Sequence, residues 1–327
     1  MQPGYGTLEA VYNTSFVWTG ASVPEESREP CQPWTWPDEL WQEATSRVRA
    51  GRTLRPRVWP GGAEVAVCIS FDCDNETSAL REGNLSPASL SAGAYGPRAS
   101  APRLLSILQA AAVPASFFVP AVSAMLHPKE VRDYVAAGHE IGVHGWIHET
   151  NGLLEAKTER DLTLRSLDVL EQIAGRRPVG IRTPGWDFTP ATIGIISDAG
   201  LIYDSSLMED DDPYELLEDG RPTGIVEIPV EWIRDDAPYF VIARSSGMRT
   251  PMLPADVLEI WWREFLGAKQ EGGIFQLTMH PGVTGRRSRV WILSELLERI
   301  NASGHVWFAT HEQAARYVRG AQATSLS

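Results

Sequence analysis

Residues 65–76 read VAVCISFDCDNE, an unbroken apolar and small-residue run that arrives at two aspartates separated by one cysteine. A run rich in β-branched residues with no polar alternation is what a strand covered on both faces looks like. It therefore predicts a strand over 65–72 inside a parallel sheet flanked by helices. In extended backbone, residues i and i+2 share one side and residue i+1 takes the other. Asp72 and Asp74 should then point into one site, while Cys73 turns away as a small buried filler and not as a nucleophile.

Outward from this stretch the pattern repeats. Further buried strands are expected over 115–119, 140–144, 180–183, 201–205, 225–230, 274–280 and 305–309. Between most of them lie stretches with helical spacing, at 100–112, 128–137, 157–174, 189–199, 254–271 and 289–303. Strands joined by helices make an α/β fold, and about eight such units fit a closed or nearly closed barrel. An open doubly wound sheet is the alternative, although no Gly-rich phosphate fingerprint follows the first strand. Residues 61–320 form the expected barrel domain. Residues 1–60, with their Pro and Trp clusters and a helix near 37–50, read as an arm packed on that domain or on a second subunit. Residues 321–327 read as a disordered tail.

Composition narrows the function. The chain has 327 residues, 43% hydrophobic and 22% charged, and carries a formal charge of -13. That charge argues against nucleic-acid and anionic-membrane partners, both of which need a basic footprint. No apolar run reaches the ~20 residues of a membrane span. The three cysteines lack metal-type spacing, and the first residues lack the pattern of a secretory leader, so a cytoplasmic protein is expected.

The polar residues suited to chemistry fall at the predicted strand ends: Asp72 and Asp74, His144 and His148, Arg182, and His280. In a parallel barrel those ends open on one face, so residues far apart in sequence can converge. Adjacent carboxylates repel unless a cation or a shared proton intervenes. In "VHGWIHE", 143–149, His144 and His148 would share one face if the segment were helical. Two neutral imidazoles and one carboxylate suit Zn²⁺ with a position open for water. The other aspartate is available as a base and His280 as an acid, while Arg182 would keep a neighbouring carboxylate ionised.

Five segments in order, "SFDCD", "HGWIH", "RTPGW", "EIPVEW" and "LTMHP", resemble the motifs of the polysaccharide deacetylase (NodB-homology, carbohydrate esterase 4) family. The resemblance implies a distorted (β/α) barrel of the NodB-homology type, here with an N-terminal extension, and one divalent metal ion, usually zinc. It makes Asp72 the general base, Asp74, His144 and His148 the metal ligands, Arg182 the partner of Asp72, and His280 the general acid. It assigns Glu231, with Glu227 as fallback, to orient that acid. Trp186 and Trp232 would wall the substrate pocket, with Trp146 and Glu76 as further binding candidates.

Cys73 separates two aspartates that are adjacent in many family members. That spacing resembles the branch holding intracellular peptidoglycan-deacetylase-like proteins, allantoinases and cyclic imide hydrolases. The implied function is metal-dependent hydrolysis of a non-peptide C–N bond in a small N-acyl substrate. The alternative is ring opening of a cyclic imide or ureide. A homo-oligomer is expected as well, since members of this branch often form one. His127, His139, His305 and His311 read as structural, without companions.

Overall fold

The computed structural model describes residues 32–242 and 250–325. Its strands are β1 (Val48–Thr53), β2 (Val65–Asp72), β3 (Ala115–Val119), β4 (Glu140–Val143), β5 (Gly180–Ile181), β6 (Tyr203–Asp204), β7 (Tyr214–Glu218), β8 (Arg221–Glu227), β9 (Ile274–Met279) and β10 (Val306–Phe308). They form one curled sheet in the order β1-β7-β8-β6-β5-β4-β3-β2, with β9 on the far edge of β2 and β10 beside the start of β2. From β8 to β9 every pairing is parallel. No ladder among the described residues joins β9 to β1, so the barrel is an open curl.

The alternation within β2 sorts the core. Val65, Val67, Ile69, Phe71 and Cys73 belong to one buried cluster, and Ala66 and Cys68 to another. Helices cover the first face: α1 (Ala101–Ala111), α2 (Pro128–Ala136), α3 (Ala156–Ala174), α4 (Thr192–Asp198), α5 (Pro254–Glu271) and α6 (Trp291–Ser303). Each presents apolar residues at helical spacing, such as Leu104 and Leu108, Leu167 and Leu170, Trp261 and Phe265, and Leu293, Leu297 and Ile300. Phe71, Phe117 and Tyr134 stack in series, with centroid separations of 5.0 and 3.7 Å. Burying each such side chain contributes on the order of 1.5–3 kcal/mol. On the other face, Phe118, Tyr203 and Val226 meet Ala314, Ala315 and Val318 of a last helix, α7 (His311–Ser325). Asp72, two residues beyond Ser70 and four beyond Cys68, shares that face, and the pleat therefore aims it inward.

Two expectations about the ends change. The segment before residue 60 contributes β1, which pairs antiparallel with β7 through Val48↔Glu218, and its Leu54 and Trp59 are buried. It is thus built into the sheet edge, and the expected helix is shorter, Asp38–Ser46, with no buried residue. The tail expected to be disordered is helical as far as Ser325, because Ala314, Ala315 and Val318 anchor α7 against the sheet. Residues 1–31 and 326–327 lie outside the described residues. Among the described residues no helix is long and apolar enough to cross a membrane.

At the β5–β6 pairing Gly180 lies opposite Tyr203, and a Cβ there would come within 1.9 Å of the Tyr203 ring. The Tyr203 hydroxyl donates to Glu140 Oε1 at 2.6 Å, so the ring cannot shift freely. Gly180→Ala is expected to lower stability by about 1–3 kcal/mol through overpacking. Thermal unfolding reads this directly, and an unchanged Tm would contradict the close approach.

Candidate functional site

Parallel register brings the chemistry together. Asp72 ends β2, His144 follows β4, Arg182 follows β5 and His280 follows β9, all on one rim of the sheet. His144 Nε2 lies 3.5 Å from Asp74 Oδ1 and 3.7 Å from Asp72 Oδ2. His148 Nε2 lies 3.4 Å, and His280 Nε2 3.8 Å, from Asp74 Oδ2. Asp72, Asp74, His144, His148, Arg182 and His280 therefore meet around a single point.

Asp74, His144 and His148 each offer one ligand atom, all within 4.8 Å of one another. Two of these, Asp74 Oδ1 and His144 Nε2, are buried with no hydrogen-bond partner. Buried polar atoms are rarely left unpaired. Here both are lone-pair donors facing the same space, which is the pattern a cation completes. The Nδ1–H of His144 donates to the Arg182 carbonyl at 2.7 Å and so leaves Nε2 as the open lone pair. Burial pulls the His144 pKa down, and burial together with the Arg81 guanidinium pulls His148 down to about 3. Both rings are thus neutral, as a metal ligand requires. Burial pushes Asp74 up despite the nearby imidazoles. The residues fit one divalent cation of the zinc type.

The two histidines are not brought together by a helix. Residues 144–148 form a loop in which Gly145 (φ 72) and His148 (φ 61) take left-handed backbone conformations. A Cβ on Gly145 would sit 2.6 Å from Pro184 Cγ, so glycine is required at that turn. Glu149 closes the loop by accepting from the Trp146 and Ile147 backbone N–H groups.

Arg182 is fully buried and commits all five of its N–H donors. Nε donates to the Ser205 carbonyl, Nη1 to Ser70 Oγ and Asp72 Oδ1, and Nη2 to Ser205 Oγ and His311 Nε2, over 2.8–3.3 Å. The Phe118 ring covers its guanidinium carbon at 4.2 Å. Burial alone would raise the Asp72 pKa, but Arg182, with help from His144 and His280, wins and holds it below the usual carboxylate range. His311, expected to be without companions, lies behind Arg182 and hands its Nδ1–H to Ser116 Oγ, whose own proton goes to Glu140.

The residue that orients His280 is Asp236, which corrects the expectation for Glu231. Asp236 Oδ1 accepts from His280 Nδ1 at 2.7 Å. Its Oδ2 accepts from the His280 and Thr284 backbone N–H groups and from Thr284 Oγ1. Asp235 Oδ1 lies 3.6 Å from the same imidazole. Glu231 instead caps the turn after it by accepting from Ile233 N, and Glu227 accepts from Ser206 N and Leu207 N in the segment after β6. Glu231 marks the motif in sequence, but the short turn Trp232–Arg234 carries the chain four and five residues on before a carboxylate faces the imidazole. Burial would lower the His280 pKa. Asp236, Asp235 and Asp74 outweigh it and raise it well above the ordinary histidine value.

Of the expected pocket residues, Trp186 and Trp232 stand together with ring centroids 4.1 Å apart; Trp186 is buried and Trp232 is 48% exposed. Trp186 holds a left-handed φ of 59°, a strained conformation for a bulky residue. Trp146 is covered by the Arg165 guanidinium, 4.0 Å over its ring. Glu76 is paired with His127 Nε2 at 2.8 Å, so its carboxylate is engaged away from the expected binding role and His127 has a companion after all. The sequence reading missed Asp235, Asp236 and His311. The acidic pair directly after "WIR" was the available signal for the first two; nothing in the pattern marks His311.

Comparison with known proteins places the chain among similar sequences and folds. A family model described as polysaccharide deacetylase matches residues 94–203. A crystal structure described as a polysaccharide deacetylase of Mycobacterium smegmatis superposes with a TM-score of 0.77 at 37% identity, covering 84% of this chain and 96% of that one. A peptidoglycan deacetylase of Helicobacter pylori is 28% identical over 279 residues, 77% of this chain and 95% of that protein. The PuuE allantoinase structure shares the fold, with a TM-score of 0.71 at 24% identity over 81% of this chain and 93% of that one.

The carboxylates around His280 give a prediction that needs no turnover. Asp236→Asn removes the nearest negative charge, so the His280 pKa should fall, while Glu231→Gln should leave it in place. Imidazole titration by NMR distinguishes the two carboxylates. An equal response to both changes would restore Glu231 to the site.

Proposed function

Because this chain belongs to the polysaccharide deacetylase family, a class of hydrolases acting on C–N bonds other than peptide bonds, we propose that it is a metal-dependent amidohydrolase that removes the acyl group from a small N-acyl substrate. The observation that carries the metal dependence is the pair of buried, unpartnered acceptors, Asp74 Oδ1 and His144 Nε2, aimed at a space shared with His148.

Asp74, His144 and His148 would hold the ion. A bound zinc ion would lower the pKa of a water toward about 7 and polarise the acyl oxygen. Asp72, kept anionic by Arg182, takes the proton of the attacking water. His280, kept protonated by Asp236 and Asp235, gives its proton to the departing nitrogen. The environments drive the two groups apart, the carboxylate low and the imidazole high, which is how a base and an acid coexist at one pH. Trp186 and Trp232 supply an aromatic wall for the substrate body. A cytoplasmic homo-oligomer completes the reading; Trp34, Trp36 and Trp41 are exposed apolar surface available for a subunit contact.

Asp72→Asn should retain bound zinc while losing roughly 10²–10⁴-fold in turnover, the usual contribution of a general base. His148→Ala should lose the metal itself. Metal analysis beside an activity assay on N-acetylated amines reads both, and full activity in both variants with unchanged metal would sink the assignment. Running the assay in parallel with cyclic imides separates deacylation from ring opening by which carbonyl is attacked.

A further inference from the structure

A metal-binding imidazole offers one ring nitrogen to the ion and donates its other N–H to an acceptor. His144 follows this rule, with Nδ1 on the Arg182 carbonyl oxygen. His148 does not. Its Nδ1 lies 2.7 Å from Nη1 of Arg81, and a guanidinium only donates. Nδ1 must therefore carry the lone pair in this arrangement, which puts the proton of the neutral ring on Nε2. Nε2 is the nitrogen that faces Asp74 at 3.4 Å. In that tautomer Nε2–H can hydrogen-bond to Asp74 but cannot ligate. Freeing Nε2 moves the proton to Nδ1, where one N–H would confront another, and the Arg81 contact is lost. Arg81 and a cation thus compete for the same imidazole.

The position of Arg81 suggests what it does once displaced. It ends the one-turn helix Thr77–Leu80, on the loop that leaves the site after Asp74. It is exposed, and its hydrogen-bond partner is the imidazole, with no carboxylate paired to it among the described residues. Arg182, by contrast, is buried with every donor used. The neighbouring carboxylates of Asp72, Asp74, Asp235 and Asp236 belong to the chemistry and would repel an anion. Arg81 supplies a permanent cation with spare planar donors at the edge of this acidic site, and such a fork takes a carboxylate in bidentate fashion.

Building on the amidohydrolase reading, we propose that Arg81 is a specificity-determining residue: released from His148 when the metal site fills, it binds a carboxylate carried by the N-acyl substrate. The substrate class is then an N-acyl amino acid or a related acylamino carboxylate.

Two measurements on the full chain test this without turnover. In a zinc titration against a competing chelator, Arg81→Gln should bind zinc about tenfold more tightly than the parent, the scale on which a group contacting the far nitrogen of a ligating imidazole changes metal affinity. Equal or weaker binding would overturn the displacement. In a tryptophan-fluorescence titration of the zinc-loaded protein, the parent should prefer N-acetylglycine over N-acetylglycinamide by about tenfold, the scale of one charge-assisted contact. That ratio should collapse toward one in Arg81→Gln and survive in part in Arg81→Lys. A parent without the preference, or a preference that persists in Arg81→Gln, would overturn the anion role. If zinc and both probes behave as expected and no N-acyl compound is hydrolysed, the amidohydrolase reading fails while the role of Arg81 stands.

Discussion

The Arg182 guanidinium is the fixed point on which the site depends. A buried cation is tolerable only when its charge is paired and its donors are used. Here a carboxylate, two serine hydroxyls, a backbone carbonyl and an imidazole take all five N–H groups. Those partners come from β2, from the segment after β6 and from the start of α7, so one side chain ties three parts of the fold to one geometry. Removing one member of a buried pair typically costs about 3–5 kcal/mol, because the other charge is left behind. The same contact that stabilises the fold keeps Asp72 ionised, which links the structural and the chemical roles of this residue.

His311 extends that logic beyond the rim. Its neutral ring accepts from Arg182 and donates to Ser116, which donates in turn to Glu140, and Glu140 also receives the Tyr203 hydroxyl. The direction of every hydrogen bond is therefore set by its neighbours. A fully satisfied buried network of this kind specifies a single arrangement. It also explains why α7 must return to the sheet: the helix carries His311 to the concave face at the level where Arg182 needs its last acceptor.

Part of the backbone strain sits where function is proposed. His148 and Trp186 both hold positive φ angles, each costing on the order of 1–3 kcal/mol. The surrounding loops hold them there, through Glu149 on one side and the packed Trp232 ring on the other. The rigid strands supply position, and the short loops at their ends supply the unusual backbone that points each side chain.

The parallel strands and the rim are legible in short runs of consecutive residues. The apolar runs at 65–72 and 115–119 coincide with β2 and β3, and the two-residue period sends Asp72 and Asp74 inward and Cys73 into the core. These follow from local rules, since burial on both faces and the pleat are written in a few consecutive residues. Packing between distant segments decided that Asp236 and not Glu231 holds His280, that a left-handed loop and not a helix joins His144 to His148, and that Glu76 is paired with His127. It also decided that residues 48–53 become an edge strand and that the curl stays open. Each of these depends on which segments meet after the sheet has curled. A pairing between residues dozens of positions apart, such as Asp236 with His280 or Val48 with Glu218, leaves no periodic trace in either segment alone.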